Sequence, residues 1–318
     1  MAKKLLLKMR VADIREESDR IKSFTLVHQT RPQLPPFEAG AHVTVLLANG
    51  MRRPYSLCSD PADSSRYRLA VLREDHGLGG SRAMHELRSG DKVFVSHPAN
   101  HFPLAPQAGF HLLIAGGIGI TPMLAMVHAL KRAGARFRLH YCARQRADMA
   151  FAGDLQRLCG PDEIVLHESG MPGGRLDIAA ALAQAPVGAH VYCCGPQRLM
   201  DAVTAAARNA GFADEMIHIE HFEGVPADQR QRGEPFQIEI RSTGQVLDVP
   251  ENKSALDVLR ENDIVVDAAC EGGVCGTCRV KYIAGEPIHR DLALRVEERA
   301  HTLLVCVSRA TEKLVLEL

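Results

Sequence analysis

The sequence has 318 residues, a length that fits two or three domains, each with room for its own core. Its 38 Lys+Arg balance 38 Asp+Glu, which excludes the strongly basic and strongly acidic classes and gives no reason to expect nucleic acid or a membrane as partner. No run reaches the length of a membrane span, MAKKLLLKMR lacks a signal-peptide core, and the nine cysteines are an odd count without disulfide-framework spacing, so a cytoplasmic, reducing compartment is expected.

From residue 5 to 96 short alternating segments (22–27, 41–47, 67–72, 92–96) are separated by Gly, Pro, Asn and Asp clusters, which predicts a small antiparallel barrel. Within it Arg53-Pro54-Tyr55-Ser56-Leu57 follows a turn at Asn49-Gly50. As a strand it places Arg, Tyr and Leu on one face and Pro and Ser on the other, and its proline predicts an edge. Taken singly, Arg53 reads as a surface ion-pairing arginine and Tyr55 as a half-buried barrel tyrosine. Gly77-Leu78-Gly79-Gly80-Ser81 opens a helix over 82–87, so Gly79, Gly80 and Ser81 offer N–H groups and a hydroxyl to a phosphate.

After a Pro/Ala/Gln break at 104–109, residues 111–115 read as a buried parallel strand. The turn Gly116-Gly117-Ile118-Gly119-Ile120-Thr121-Pro122 and a helix over 123–133 follow. Strand, glycine turn and helix make a pyrophosphate site at a helix N-terminus, although the GGxG spacing departs from the dehydrogenase GxGxxG. Strands at 137–142, 163–167 and 190–194 alternate with helices at 154–158, 176–184 and 199–209, a doubly wound parallel sheet. The last of these strands ends in Cys193-Cys194-Gly195-Pro196, where ligands of such sheets bind. A cysteine ending a strand is also a common core residue.

Residues 224–235, GVPADQRQRGEP, have the composition of an exposed linker. A hairpin over 236–249 and a helix over 255–261 capped by Ser254 follow, with strands at 279–283 and 313–318. Between them DAACEGGVCGTCR sets Cys270, Cys275 and Cys278 with four and then two residues between them, and Cys306 follows after twenty-seven more. Three thiolates on one short loop and a fourth from a later strand is the plant-type spacing for a [2Fe–2S] cluster. A four-cysteine zinc site would usually show two CxxC pairs, and only one is present. Gly272, Gly273 and Gly276 are expected to curl the loop so that N–H groups reach sulfur. His289-Arg290-Asp291, between the third and fourth ligands, reads as an exposed charged loop.

The last 85 or so residues resemble plant-type ferredoxins through that cluster motif. RPYS resembles the RxYS motif of the ferredoxin reductase superfamily, and GGIGITP and CGP resemble its nucleotide-binding motifs. In this order along one chain they resemble the phthalate dioxygenase reductase family over essentially the whole length. The resemblance implies a multidomain α/β and β protein: an antiparallel FMN-binding β-barrel (1–104), a doubly wound parallel α/β NAD(P)-binding domain (105–225), a linker (226–234) and a C-terminal β-grasp ferredoxin domain (235–318). It implies that Arg53 meets the flavin phosphate, that Tyr55 lies beside the ring and that Ser56 reaches its edge near N5. Cys194 would stand near nicotinamide C4, and Phe222 would cover the flavin until nicotinamide displaces it. Gly116, Gly117, Gly119, Thr121, Gly195 and Pro196 would serve the dinucleotide. The region 143–151 resembles the one that meets the adenosine ribose. There Asp148 suits a 2′-hydroxyl and NADH, whereas Arg144 or Arg146 suits the 2′-phosphate of NADPH; all three also read as solvated loop charges.

The implied function is an oxidoreductase that passes electrons from NADH through FMN to the [2Fe–2S] cluster and on to a separate terminal oxygenase, of Rieske non-haem iron type, acting on an aromatic acid or ether. The cofactors carry the chemistry and the protein positions them. Two other readings are a free-standing NAD(P)H:quinone or dye reductase and an electron-transfer subunit of a permanent flavin and iron–sulfur complex.

Overall fold

The computed structural model describes residues 6–47, 50–75, 79–225 and 233–318. Asn49 of the expected turn, Gly77 and Leu78 of the glycine loop and linker residues 226–232 lie outside them. The chain forms two compact units, Met1–Glu220 and His221–Leu318. No helix among the described residues is long and apolar enough to cross a membrane.

The first unit begins with β1 (Leu7–Ser18), β2 (Ile21–His28), β3 (Ala41–Leu46), β4 (Arg52–Ser56), β5 (Tyr67–Leu72), α1 (Gly80–His85), β6 (Lys92–Val95) and β7 (Ala99–Asn100). The strands pair in the order β4-β3-β6-β1-β2-β5, with β7 on β3, and a bridge between Leu57 and Leu69 joins the two ends, so the sheet closes into the expected barrel. Alternation drives this: Leu7, Met9 and Val11 of β1 are buried beside Phe24, Leu26, Val43 and Val45, while Lys8 and Arg10 face out. The charged second half of β1 gave no such signal. It is held by its ladder to β2, which carries irregularities at Val11/Asp13 and Glu16/Ser18.

The same unit continues with β8 (Phe110–Gly116), α2 (Ile120–Ala133), β9 (Phe137–Ala143), α3 (Ala152–Leu158), β10 (Ile164–Glu168), α4 (Ile178–Ala183), β11 (Ala189–Cys194), α5 (Gln197–Asn209) and β12 (Ile217–Glu220). All five strands are parallel, in the order β10-β9-β8-β11-β12. The chain winds one way from β8 and the other way through β11, so the topological switch lies between Gly116 and Cys194, at the carboxyl ends of β8 and β11. One apolar cluster holds Leu124, Met126 and Val127 of α2 together with Ile21, Cys58, Ala70 and Phe102, so barrel and parallel sheet share a core.

The second unit contains β13 (Phe236–Ile240), β14 (Gln245–Val249), α6 (Ala255–Glu261), β15 (Arg279–Ala284), β16 (Pro287–Ile288), α7 (Val296–Arg299), β17 (Thr302–Leu304), β18 (Arg309–Ala310) and β19 (Lys313–Leu316). Its main sheet runs β14-β13-β19-β15-β17, with β13 and β19 parallel, the β-grasp arrangement. Ser254 caps α6 as expected, in a reciprocal box with Asp257. Arg309 is 2% exposed and donates to the carbonyls of Lys253, Pro250, Gly233 and Glu234 while stacking on Phe236. The expectation of an exposed 289–291 loop is corrected for its last residue. Asp291 is buried, accepts the Leu294 N–H at 2.9 Å, and lies 3.5 Å from His289 and 3.7 Å from Arg299. A carboxylate is buried only where such partners surround it.

Candidate functional site

β4 stands at the end of the strand order, where a proline without an N–H is tolerated. Its register against β3 pairs Arg53 with Val45, Tyr55 with Val43 and Ser56 with His42, so Arg53 and Tyr55 share one face and Ser56 takes the other. The Arg53 stem crosses the first turn of α1 so closely that a Cβ on Gly80 would lie 2.7 Å from its Cγ. Gly79 just before it takes φ 89°, the left-handed turn that starts α1. Arg53, Gly79 and Gly80 are thus brought together. The Ser81 hydroxyl, next in the chain, accepts the Glu74 N–H at 3.0 Å. Tyr55 is half-buried, and burial pushes its hydroxyl well above the usual tyrosine range.

At the switch point the glycine turn and the CGP stretch pack backbone to backbone. A Cβ on Gly119 would fall 2.1 Å from the Cys194 carbonyl oxygen, one on Gly116 would fall 2.7 Å from Pro196 Cδ, and one on Gly195 would fall 2.9 Å from the Gly116 Cα. Three of the four glycines are therefore fixed by this crossing. Gly117, at φ 53° with nothing within 4 Å of its missing Cβ, is the one that opens outward ahead of α2. Thr121 is buried and donates to the Ile118 carbonyl at 3.0 Å, holding the turn in shape.

Sequence reasoning missed one residue of this region. Glu220 ends β12 in register with Cys194, and its Oε2 accepts the Ser56 hydroxyl at 3.3 Å. Burial raises the Glu220 carboxyl to about 8, against the bond from Ser56, so near neutrality it holds its proton. Cys194 is fully buried, and desolvation, then Glu220 and Cys193, push its thiol well above its ordinary value. A strand of the barrel and two strands of the parallel sheet therefore meet in one small neutral cluster. The only signal for Glu220 was a carboxylate directly after a buried alternation, in a segment whose aromatic drew attention first.

Asp148 closes a 3-10 turn, Arg146–Asp148, and its Oδ1 takes a bond from Gln145 Nε2 at 3.3 Å. Arg144 and Arg146 are exposed, and Arg146 is held by Gln156 at 2.7 Å and, through its own N–H, by Glu168 at 2.9 Å. Asp148 is half-buried beside them.

In the second unit the four expected ligands associate two by two, Cys270 with Cys275 and Cys278 with Cys306. That is the division two irons require. The Gly272 N–H points at Cys270 Sγ (3.4 Å), the Cys270 N–H at Cys275 Sγ (3.5 Å), and the Thr277 hydroxyl lies 3.2 Å from Cys275 Sγ. The Cys270 thiol first, then Thr277 and the N–H groups, hold Cys275 below its ordinary value, while the bond between the two thiols pushes Cys270 up. The donor set and its N–H groups fit the cluster. Gly273 and Gly276 adopt positive φ as expected, at 79° and 64°, but Glu271 (φ 52°), not Gly272, makes the remaining left-handed turn. Phe222 belongs to this unit and is 40% exposed.

Comparison with known proteins gives a consistent picture. Residues 238–311 match the 2Fe-2S iron-sulfur cluster binding domain family, and residues 96–217 match the N-terminal domain of the dimethylamine monooxygenase subunit DmmA-like family. The chain is 43% identical to the tert-butanol monooxygenase / tert-amyl alcohol desaturase reductase subunit of Aquincola tertiaricarbonis, over 96% of this chain and 94% of that one. It is 39% identical to the phthalate dioxygenase reductase of Burkholderia cepacia, over 98% and 97%. A solved phthalate dioxygenase reductase, described as a modular structure for electron transfer from pyridine nucleotides to [2Fe–2S], superposes with a TM-score of 0.73 at 38% identity, covering 98% of each chain.

Proposed function

The chain belongs to the phthalate dioxygenase reductase family, and from that premise we propose that the oxygenase it serves is a Rieske-type non-haem iron enzyme acting on an aromatic acid or ether in the cytoplasm. The protein is an NADH-dependent oxidoreductase, the reductase component of an oxygenase system, with FMN and a [2Fe–2S] cluster between NADH and the terminal oxygenase. FMN, when bound, accepts electrons as a pair and releases them singly, which a one-electron cluster requires.

Arg53 and the first N–H groups of α1 hold the flavin phosphate, because the arginine stem already lies across Gly80 and a guanidinium bonds phosphate through two donors. Tyr55 offers its flat face to the ring. The Gly117 turn and the N-terminus of α2 take the NADH pyrophosphate, and Asp148 accepts a ribose 2′-hydroxyl, while Gly195 and Pro196 shape the backbone beside Cys194. Cys194, buried and uncharged, lets the nicotinamide approach closely, and Ser56 presents its hydroxyl at the flavin edge while Glu220 holds it in place. Phe222, exposed on its own unit, is suited to cover a ring face.

The observation that carries the site reading is the Ser56–Glu220 bond, which ties the RPYS strand to the strand paired with the CCGP end. What supports the partner reading is that a dioxygenase reductase and a monooxygenase reductase subunit are similar over nearly the whole chain.

An anaerobic titration with NADH, then NADPH, followed by low-temperature EPR, tests the site. Flavin and cluster bands should bleach together with NADH at lower concentration than with NADPH; a cluster that stays oxidised while the flavin bleaches would overturn the serial order. Turnover with a purified Rieske oxygenase, set against a haem oxygenase, tests the partner, and preference for the haem enzyme would sink that half.

A further inference from the structure

The composition of residues 224–235 marks them as the tether between the reductase and the ferredoxin. The described residues at their two ends make contacts within the second unit. Val225 donates its N–H to the Gly272 carbonyl at 2.9 Å, between the ligands Cys270 and Cys275, and packs on the core of the second unit. Gly224 crosses the same loop so tightly that a Cβ on it would lie 2.3 Å from the Gly272 oxygen, and one on Gly272 would lie 3.0 Å from the Gly224 Cα. This crossing accounts for a glycine at 272 without a left-handed φ. The next carbonyl, that of Gly273, is held at 3.0 Å by the Leu292 N–H, so the outer edge of the cluster loop is gripped on two sides. At the far end, Gly233 and Glu234 are fixed by the buried Arg309 guanidinium.

We propose that the working tether is the four residues His221, Phe222, Glu223 and Gly224, hooked onto the cluster loop at Gly272, and that this hook, not residues 226–232, positions the cluster for electron transfer from the flavin. Val225 and Glu234, on either side of residues 226–232, are both anchored on the second unit, so added length between them leaves the connection from Glu220 to the cluster loop unchanged. A connection of four residues gives a high effective concentration of one redox site at the other; releasing the hook would lengthen it by the whole of 226–232 and dilute that concentration. The inference rests on the flavin-to-cluster order, which the flavin phase of each trace below reports independently.

The test is anaerobic stopped-flow reduction of the full-length holoprotein by NADH, following flavin and cluster bands separately. Inserting Gly-Ser-Gly-Ser between Asp228 and Gln229 should leave cluster reduction within about twofold of the parent. Val225→Pro, which removes the donor, and Gly224→Val, which forces the crossing apart, should each slow cluster reduction about tenfold or more with the flavin phase unchanged, and adding the insertion should slow them further. Val225→Ala keeps the N–H and should behave as the parent. Iron content and EPR g values of each variant show whether the cluster itself is intact. Slowing by the insertion alone, or parent-like cluster reduction in both hook variants, would overturn the proposal. The insertion leaves both anchors in place, so its result decides even if a hook variant loses iron.

Discussion

Cys194 and Cys275 are both buried thiols, and their surroundings drive them in opposite directions. Cys194 ends a parallel strand among apolar groups, with the protonated Glu220 carboxyl as its polar neighbour, and its proton is held firmly. Cys275 sits in a glycine loop where another thiol, a hydroxyl and N–H groups point at its sulfur, and the bond it shares with Cys270 moves Cys275 down while Cys270 moves up. Burial by itself makes a thiol inert; burial with donors aimed at sulfur makes a metal ligand. The first environment suits the close approach of a neutral ring, the second an iron.

The contrast breaks most completely at the cluster. Cys275→Ser should abolish the [2Fe–2S] absorbance and EPR signal and reduce partner-dependent turnover by more than the roughly 10–100-fold typical of an outer-shell change, with flavin reduction by NADH retained. Equal loss of both steps would show that the two environments are not separable. Cys194→Ala should do the reverse, slowing NADH-dependent flavin bleaching by about 10–100-fold through misplacement of the ring, with iron content unchanged. Arg53→Ala tests the phosphate end of the same unit. Loss of charge-assisted bonds worth about 1.5–3 kcal/mol should weaken FMN binding by one to two orders of magnitude, read by flavin fluorescence on reconstitution of the flavin-free protein.

A smaller effect sharpens the role of Glu220. Its carboxyl titrates near 8 in the folded chain and near its ordinary 4.5 when unfolded, so between those values the folded state binds the extra proton. Stability from this group is therefore lost as pH rises from about 4.5 toward 8. Glu220→Gln should flatten that slope in denaturant titrations and be more stable than the parent at about pH 8, by on the order of a few kcal/mol. Parallel stability–pH curves would remove Glu220 from the neutral cluster. The least effect is expected at the coenzyme loop, where Asp148→Ala should narrow the preference for NADH over NADPH several-fold in relative kcat/KM, since one hydrogen bond of about 1 kcal/mol is at stake.

The 2Fe-2S domain was legible because four cysteines at fixed spacing carry their own geometry. Strands β2, β3, β5, β8, β9 and β11 were legible because apolar alternation and buried runs have the right period, whereas β12 and the charged half of β1 were not. Glu220 was not, since its meaning arises only when β12 pairs with β11 and brings it opposite Cys194, a long-range pairing that no local pattern encodes. Nor was the purpose of Gly272 legible, because the chain that crowds it arrives from residue 224. Asp291 looked solvated for the same reason: Arg299, which shields it, follows in a later turn.

The contact between Gly119 and the Cys194 carbonyl bears on how this protein can change over generations. Two motifs distant in the chain behave there as a single mutational unit, since a side chain gained at Gly116, Gly119 or Gly195 meets main chain or a proline ring that cannot swing away. The rim at Arg144, Arg146 and Asp148, proposed above to meet the adenosine ribose, is exposed or half-buried, so a side chain can be exchanged there without moving a strand. A directed-evolution library for NADPH use should collect its gains on that rim and keep the glycines untouched.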